Sequence, residues 1–142
     1  MVKNLINLKP HNKAMMINSG MFSSQNLNEM RKYCNAVRVA DLIEDNGCTQ
    51  MVPIERWNID PEASFMTFTS NETANGIEFD LMTFPWEIIP DDIPICIDMS
   101  SNIGTCHIPW EKVGIVYFGV QKNLGTAGCT ISIIREDLLG HK

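Results

Sequence analysis

Apolar residues in this chain gather in short, nearly unbroken runs rather than in long periodic stretches. Such runs predict buried strands at residues 14–17, 36–40, 65–69, 94–97, 113–119 and 130–135. One segment has a helical period instead. Across residues 23–34, Leu27, Met30 and Cys34 share a face, Ser24 or Asn26 can cap the start, and Glu29 stands three residues after Asn26. Between these elements, residues 44–49 read as loop, 53–60 as a short helical turn around Trp57, 76–79 as a local extension and 110–112 as a turn. Residues 80–94 hold three prolines and two adjacent acids, and read mostly as loop. Residues 1–13 are expected to be loosely ordered.

Continuous apolar strands with helical or irregular connections predict an α/β fold, a mainly parallel sheet with flanking helices. In such sheets ligands bind beyond the carboxyl ends of the strands. Thr73, Asp98 and Lys122 each stand just past the end of a predicted strand, which points to one shared site.

Composition narrows the function classes. The 142 residues suffice for one domain, or a piece of one, with a hydrophobic core. A net charge of −6 with no basic run argues against nucleic acid, and no apolar stretch is long enough to span a membrane. The first 28 residues hold three lysines and no acid, but lack arginine and a signal-peptide core, so the cytoplasm is the expected compartment. Five cysteines, with no CxxC pair, read as reduced thiols, and Cys96 and Cys129 are expected to be buried within apolar runs. His107 beside Cys106 lacks further ligands at metal-binding spacing, and no metal is expected.

The richest chemistry lies between Gly114 and Gly140. An apolar run delivers Lys122 to the end of a strand, and the small residues Gly125, Thr126, Ala127 and Gly128 follow at once. Apolar neighbours predict a desolvated, nucleophilic amine. The glycines follow the lysine instead of preceding it, so this is not a Walker phosphate loop. Upstream, a second apolar strand ends in Asp98, where an unpaired carboxylate is costly. A lysine and an acid at strand ends suit pyridoxal 5'-phosphate (PLP): the amine closes a Schiff base with the aldehyde and the carboxylate keeps the ring nitrogen protonated. Taken singly, Lys122 reads equally as a surface lysine, Asp98 as a turn cap and Thr73 as an ordinary loop residue.

Three segments in order carry a resemblance: residues 71–79 (Asn-Glu-Thr-Ala-Asn-Gly-Ile-Glu-Phe), residues 98–102 (Asp-Met-Ser-Ser-Asn), and the stretch from Gln121-Lys122-Asn123 to Leu138-Leu139-Gly140. In these the chain resembles the phosphoserine aminotransferases, fold-type I, class V enzymes that use PLP, over residues 22–140. The resemblance implies part of the large, PLP-binding domain across residues 1–142. It implies that Lys122 anchors the cofactor and shuttles the proton, Asp98 pairs with the pyridinium, Thr73 bonds the phenolic oxygen, and Gln121 contacts the phosphate. Phe22 stands where the family usually stacks a tryptophan on the ring. The implied reaction moves an amino group from glutamate to 3-phosphohydroxypyruvate, giving phosphoserine and 2-oxoglutarate in serine biosynthesis, and a homodimer is implied.

The chain departs from the family pattern in several places. The stretch between Phe79 and Asp98 is longer than usual, and a basic residue near Cys106 is missing. Family members are more than twice this length, so segments that bind phosphate and substrate carboxylate are expected outside this sequence. Two further readings stand beside the first. One is a catalytically silent fragment that binds PLP weakly or associates with a full-length homologue; the other is a different class V PLP enzyme.

Overall fold

The computed structural model describes residues 2–140. A six-stranded sheet forms its centre: β1 (Lys13–Ile17), β2 (Asn35–Ala40), β5 (Met66–Thr69), β8 (Ile95–Asp98), β9 (Ile115–Gly119) and β10 (Thr130–Ile134), in the order β10-β9-β8-β5-β1-β2. The first five run parallel, while β10 pairs antiparallel with β9 from Thr130↔Gly119 to Ile134↔Ile115. Two small antiparallel hairpins project from it, β3 (Leu42–Asp45) with β4 (Cys48–Met51), and β6 (Asn71–Glu72) with β7 (Ile77–Glu78). The expected fold class, a mainly parallel sheet with flanking helices, is the one observed.

Unbroken apolar strands arise here because both faces of the sheet are covered. Alternate residues of β1 go to opposite sides: Ala14 and Met16 join Leu27, Met30 and Phe65, whereas Met15 and Ile17 join Met66, Phe68 and Ile97. The first face is closed by the two helices, α1 (Val2–Leu5) and α2 (Met21–Met30). The second is closed by an irregular layer. Leu81, Phe84, Ile89 and Ile93 lie buried against the strands, and the Phe84 ring stacks on Phe68 with centroids 4.6 Å apart. Residues 80–94 are indeed loop-like in backbone, apart from a 3-10 turn at Trp86–Ile88, yet they supply a core layer.

Three expectations change. Residues 2–8 are ordered, as α1 and a 3-10 turn at Ile6–Leu8, because Leu5 and Ile6 are buried in the helical layer and Ser64 Oγ donates to the Ile6 carbonyl at 2.7 Å. The loop at 44–49 is the tip of the β3–β4 hairpin. Asn46 and Gly47 both take positive φ (52° and 77°), as a two-residue hairpin turn requires, and the Asn-Gly pair carried that signal. Cys129 is exposed, unlike the fully buried Cys96, since β10 has no covering layer among the described residues.

Candidate active site

Parallel strands bring their carboxyl ends to one edge, and the chain leaves β1, β5, β8 and β9 there. Phe22 sits in the first turn of α2, just after β1. Thr73 follows β6, Asp98 closes β8, and Gln121 and Lys122 follow β9. A cavity of about 270 Å³ at this edge is lined by Phe22, Asn71, Asp98, Ser100, Gln121 and Lys122, among others. Thr73 lies beside it through Lys122, whose Nζ donates to Thr73 Oγ1 at 3.3 Å. The same Nζ lies 5.7 Å from the centroid of the Phe22 ring, a cation–π distance. All five residues singled out in the sequence therefore meet at one place.

Asp98 is held by its own turn. Its Oδ1 accepts from the Ser100 amide at 2.9 Å and the Ser100 hydroxyl at 2.7 Å, while Ser100 Oγ in turn accepts from the Gly119 amide at 3.1 Å. Oδ2 has no hydrogen bond among the described residues, so one carboxylate oxygen is fixed and the other is free to accept. Ser101 and Asn102 brace the loop: Ser101 Oγ donates to the Asn71 carbonyl at 2.7 Å, and the Asn102 amide links Ser70 to Glu78.

Lys122 is exposed, contrary to the desolvation that its apolar neighbours suggested. Among the described residues nothing covers the turn at 121–129, so water reaches the amine. Lys122 is also the one cation lining the cavity among these residues.

The start of α2 is the part that sequence reasoning missed. Among the described residues, none that precedes the helix supplies a side-chain cap to its first turn. The acceptors come from the loop after β5 instead: Asn75 Oδ1 takes the Met21 amide at 2.9 Å, and Glu72 Oε1 takes the Phe22 amide and, at 3.3 Å, the Ser23 amide. Neither Ser24 nor Asn26 caps the helix, which starts at Met21 rather than 23. Glycine at position 20 permits the approach, because a Cβ there would run into Glu72 Cγ and Asn75 Oδ1. The signal was an acid and an amide placed just past a buried strand, in the same motif as Thr73. Cys106 and His107 are both exposed, and among the described residues no cluster of His, Cys, Asp and Glu could hold a metal ion.

The family described as aminotransferase class-V matches residues 1–142. The chain belongs to the class-V aminotransferases. Phosphoserine aminotransferase of Herminiimonas arsenicoxydans is 38% identical over 141 residues, covering 97% of this chain and 37% of that protein. That of Ruthia magnifica subsp. Calyptogena magnifica is 37% identical over 135 residues, covering 94% and 35%. Two solved structures are similar in fold. Phosphoserine aminotransferase from Bacillus circulans subsp. alkalophilus gives a TM-score of 0.78 at 28% identity, over 97% of this chain and 38% of that one. PLP-bound phosphoserine aminotransferase from Trichomonas vaginalis gives 0.79 at 27%, over 99% and 38%. This class-V aminotransferase chain thus spans between a third and two fifths of the length of these relatives.

Proposed function

We propose that the chain is part of the large, PLP-binding domain of a phosphoserine aminotransferase that moves an amino group between glutamate and 3-phosphohydroxypyruvate. The observation that carries this reading is the surroundings of Lys122 Nζ: a hydroxyl at 3.3 Å, an aromatic ring at 5.7 Å, and the carboxylate of Asp98 on the same cavity. These groups fit PLP. A cavity of about 270 Å³ is close to the lower end of small-molecule pockets. It offers an aromatic face, a primary amine and a carboxylate oxygen that has no partner among the described residues.

PLP supplies an aldehyde for a lysine amine and a protonated ring that accepts electrons when an amino acid loses its α-proton. Lys122 would be the covalent anchor, and its Nζ would move the proton at the substrate carbon. Asp98 Oδ2 would hold the proton on the ring nitrogen, with Oδ1 kept in register by Ser100. Thr73 Oγ1 would donate to the phenolic oxygen, Phe22 would pack on the ring, and Gln121 would meet the phosphate. That last contact is neutral. Firm phosphate and carboxylate binding calls for cations beyond Lys122, because charge-assisted pairs are the strong, orienting ones. The reading also takes the protein to be cytoplasmic and homodimeric, acting on small molecules; its net charge of −6 supports excluding nucleic acid. Among the described residues no helix is long and apolar enough to cross a membrane.

The test is chemical. The chain is incubated with PLP, reduced with borohydride, and mapped by peptide mass spectrometry. A pyridoxyl adduct at Lys122, lost in Lys122→Ala, is the expected outcome. Label spread over Lys32, Lys112 and other lysines, unchanged by that substitution, overturns the reading.

A further inference from the structure

We infer that Glu72 is a positioning residue of the cofactor pocket, its carboxylate tying the first turn of α2, and with it Phe22, to the loop that presents Thr73 to Lys122. The inference rests on the PLP reading above. Glu72 is fully buried, and its Oε1 is the acceptor for two consecutive helix amides, those of Phe22 and Ser23. One residue further along the chain, Thr73 touches the lysine amine. Phe22, whose own amide Glu72 binds, provides the ring beside that amine. One carboxylate therefore joins the backbones that deliver two of the three groups around the amine.

The carrying loop is itself held by hydrogen bonds. Asn71 and Glu72 pair with Glu78 and Ile77, the Glu72 carbonyl accepts from the Asn75 and Gly76 amides at 3.1 and 2.9 Å, and Asn75 adds a second tie to α2. A negative charge at a helix start is favoured by the exposed amides and the helix dipole. Glu72 Oε2, however, is buried without a hydrogen bond among the described residues. Leaving a buried acceptor unsatisfied carries a desolvation cost. Alanine with solvent at this site would satisfy the helix amides individually; it would not join α2 to the Thr73 loop.

Burial raises the Glu72 pKa above the ordinary glutamate value, the Phe22 and Ser23 amides oppose this, Asp98 adds to the rise and Lys122 subtracts from it. Protonation removes the negative charge that the two amides face, so the Phe22 and Ser23 amides report the ionisation of Glu72.

The experiment compares the wild-type chain with Glu72→Gln, which keeps the accepting oxygen, and Glu72→Ala, which does not. Amide exchange and shifts of Phe22 and Ser23 are read by NMR without cofactor; PLP affinity and the absorbance band of the bound cofactor are read separately. In Glu72→Ala, exchange at Phe22 should rise and PLP affinity fall by roughly tenfold or more, the scale of a lost charge-assisted bond. Glu72→Gln should stay within about threefold of wild type, since a neutral acceptor keeps part of that bond. A folded Glu72→Ala chain with unchanged affinity, band and Phe22 exchange overturns the inference, even if it melts earlier. Should that variant not fold, the wild-type Phe22 amide decides: its shift must titrate with Glu72, and a flat titration overturns the inference. A wild-type chain that takes up no PLP at Lys122 instead removes the reading beneath it, a result distinguishable because it appears before any substitution at Glu72.

Discussion

Strands β8 and β10 are both rich in isoleucine and end in opposite fates. In β8, Ile95, Cys96 and Ile97 are at most 4% exposed, whereas Ile131, Ile133 and Ile134 of β10 are 38–43% exposed. β8 pairs with a strand on each side and β10 with β9 alone, but pairing lies in the plane of the sheet and does not cover its faces. Layers do. β8 lies between α2 with the amino-terminal turns on one face and the irregular segment around Phe84 on the other, while β10 has neither among the described residues. An apolar run specifies a strand; its stabilisation by burial requires a second element to cover it.

The sharpest test of this contrast is paired truncation. Phe68→Ala removes a fully buried ring stacked on Phe84 and should cost about 3–5 kcal/mol. Ile133→Ala, at a half-exposed site, should cost about 1 kcal/mol or less. Urea unfolding midpoints compare them, and equal costs would break the distinction between the two strands.

A smaller effect contrasts a buried carboxylate with an exposed one. Glu72 is raised by burial, so its contribution to stability is present below its unfolded value of 4.5 and is lost as pH rises through its folded pKa. Glu62 is lowered by its hydrogen bond to Lys13, so its contribution is present above 4.5 and is lost as pH falls through its folded pKa. Stability measured against pH for Glu72→Gln and Glu62→Gln should therefore diverge. Glu72→Gln gains on wild type as pH rises above 4.5, and Glu62→Gln loses on wild type as pH rises towards it. Curves that bend the same way would show that burial does not govern these two groups.

The smallest change in folding stability is expected at the edge itself. β10 contains no Pro or Lys, so its open edge and apolar side chains favour pairing between chains. Ile133→Lys should shift stability by only about 0.5 kcal/mol while reducing self-association. Size-exclusion chromatography with light scattering reads the change. A wild-type chain already monodisperse at 16.0 kDa would show that the exposed face has no such consequence.

Much of this could be read in advance. The runs at 14–17, 65–69 and 94–97 are strands β1, β5 and β8 within a residue or two, because a strand buried on both faces must be apolar throughout. Thr73, Asp98 and Lys122 were legible as one group, because parallel strands place their carboxyl ends together, while Phe22 and Gln121 were added by the family resemblance alone. Glu72 was legible only as part of a motif. Its partners Phe22 and Ser23 lie 50 and 49 residues away, and no local pattern links an acid in one loop to a helix start in another.

The sequence by itself determined the positions of the six central strands, the mainly parallel architecture and the gathering of Thr73, Asp98 and Lys122 at the carboxyl edge, since each follows from local polarity and the direction of the chain. Tertiary structure alone decided which apolar residues are buried, that residues 80–94 form a core layer, that Lys122 stays exposed, and that Glu72 caps α2. The physical reason is common to all four: burial and capping are relations between segments distant in the chain, and their free energy exists only once those segments meet.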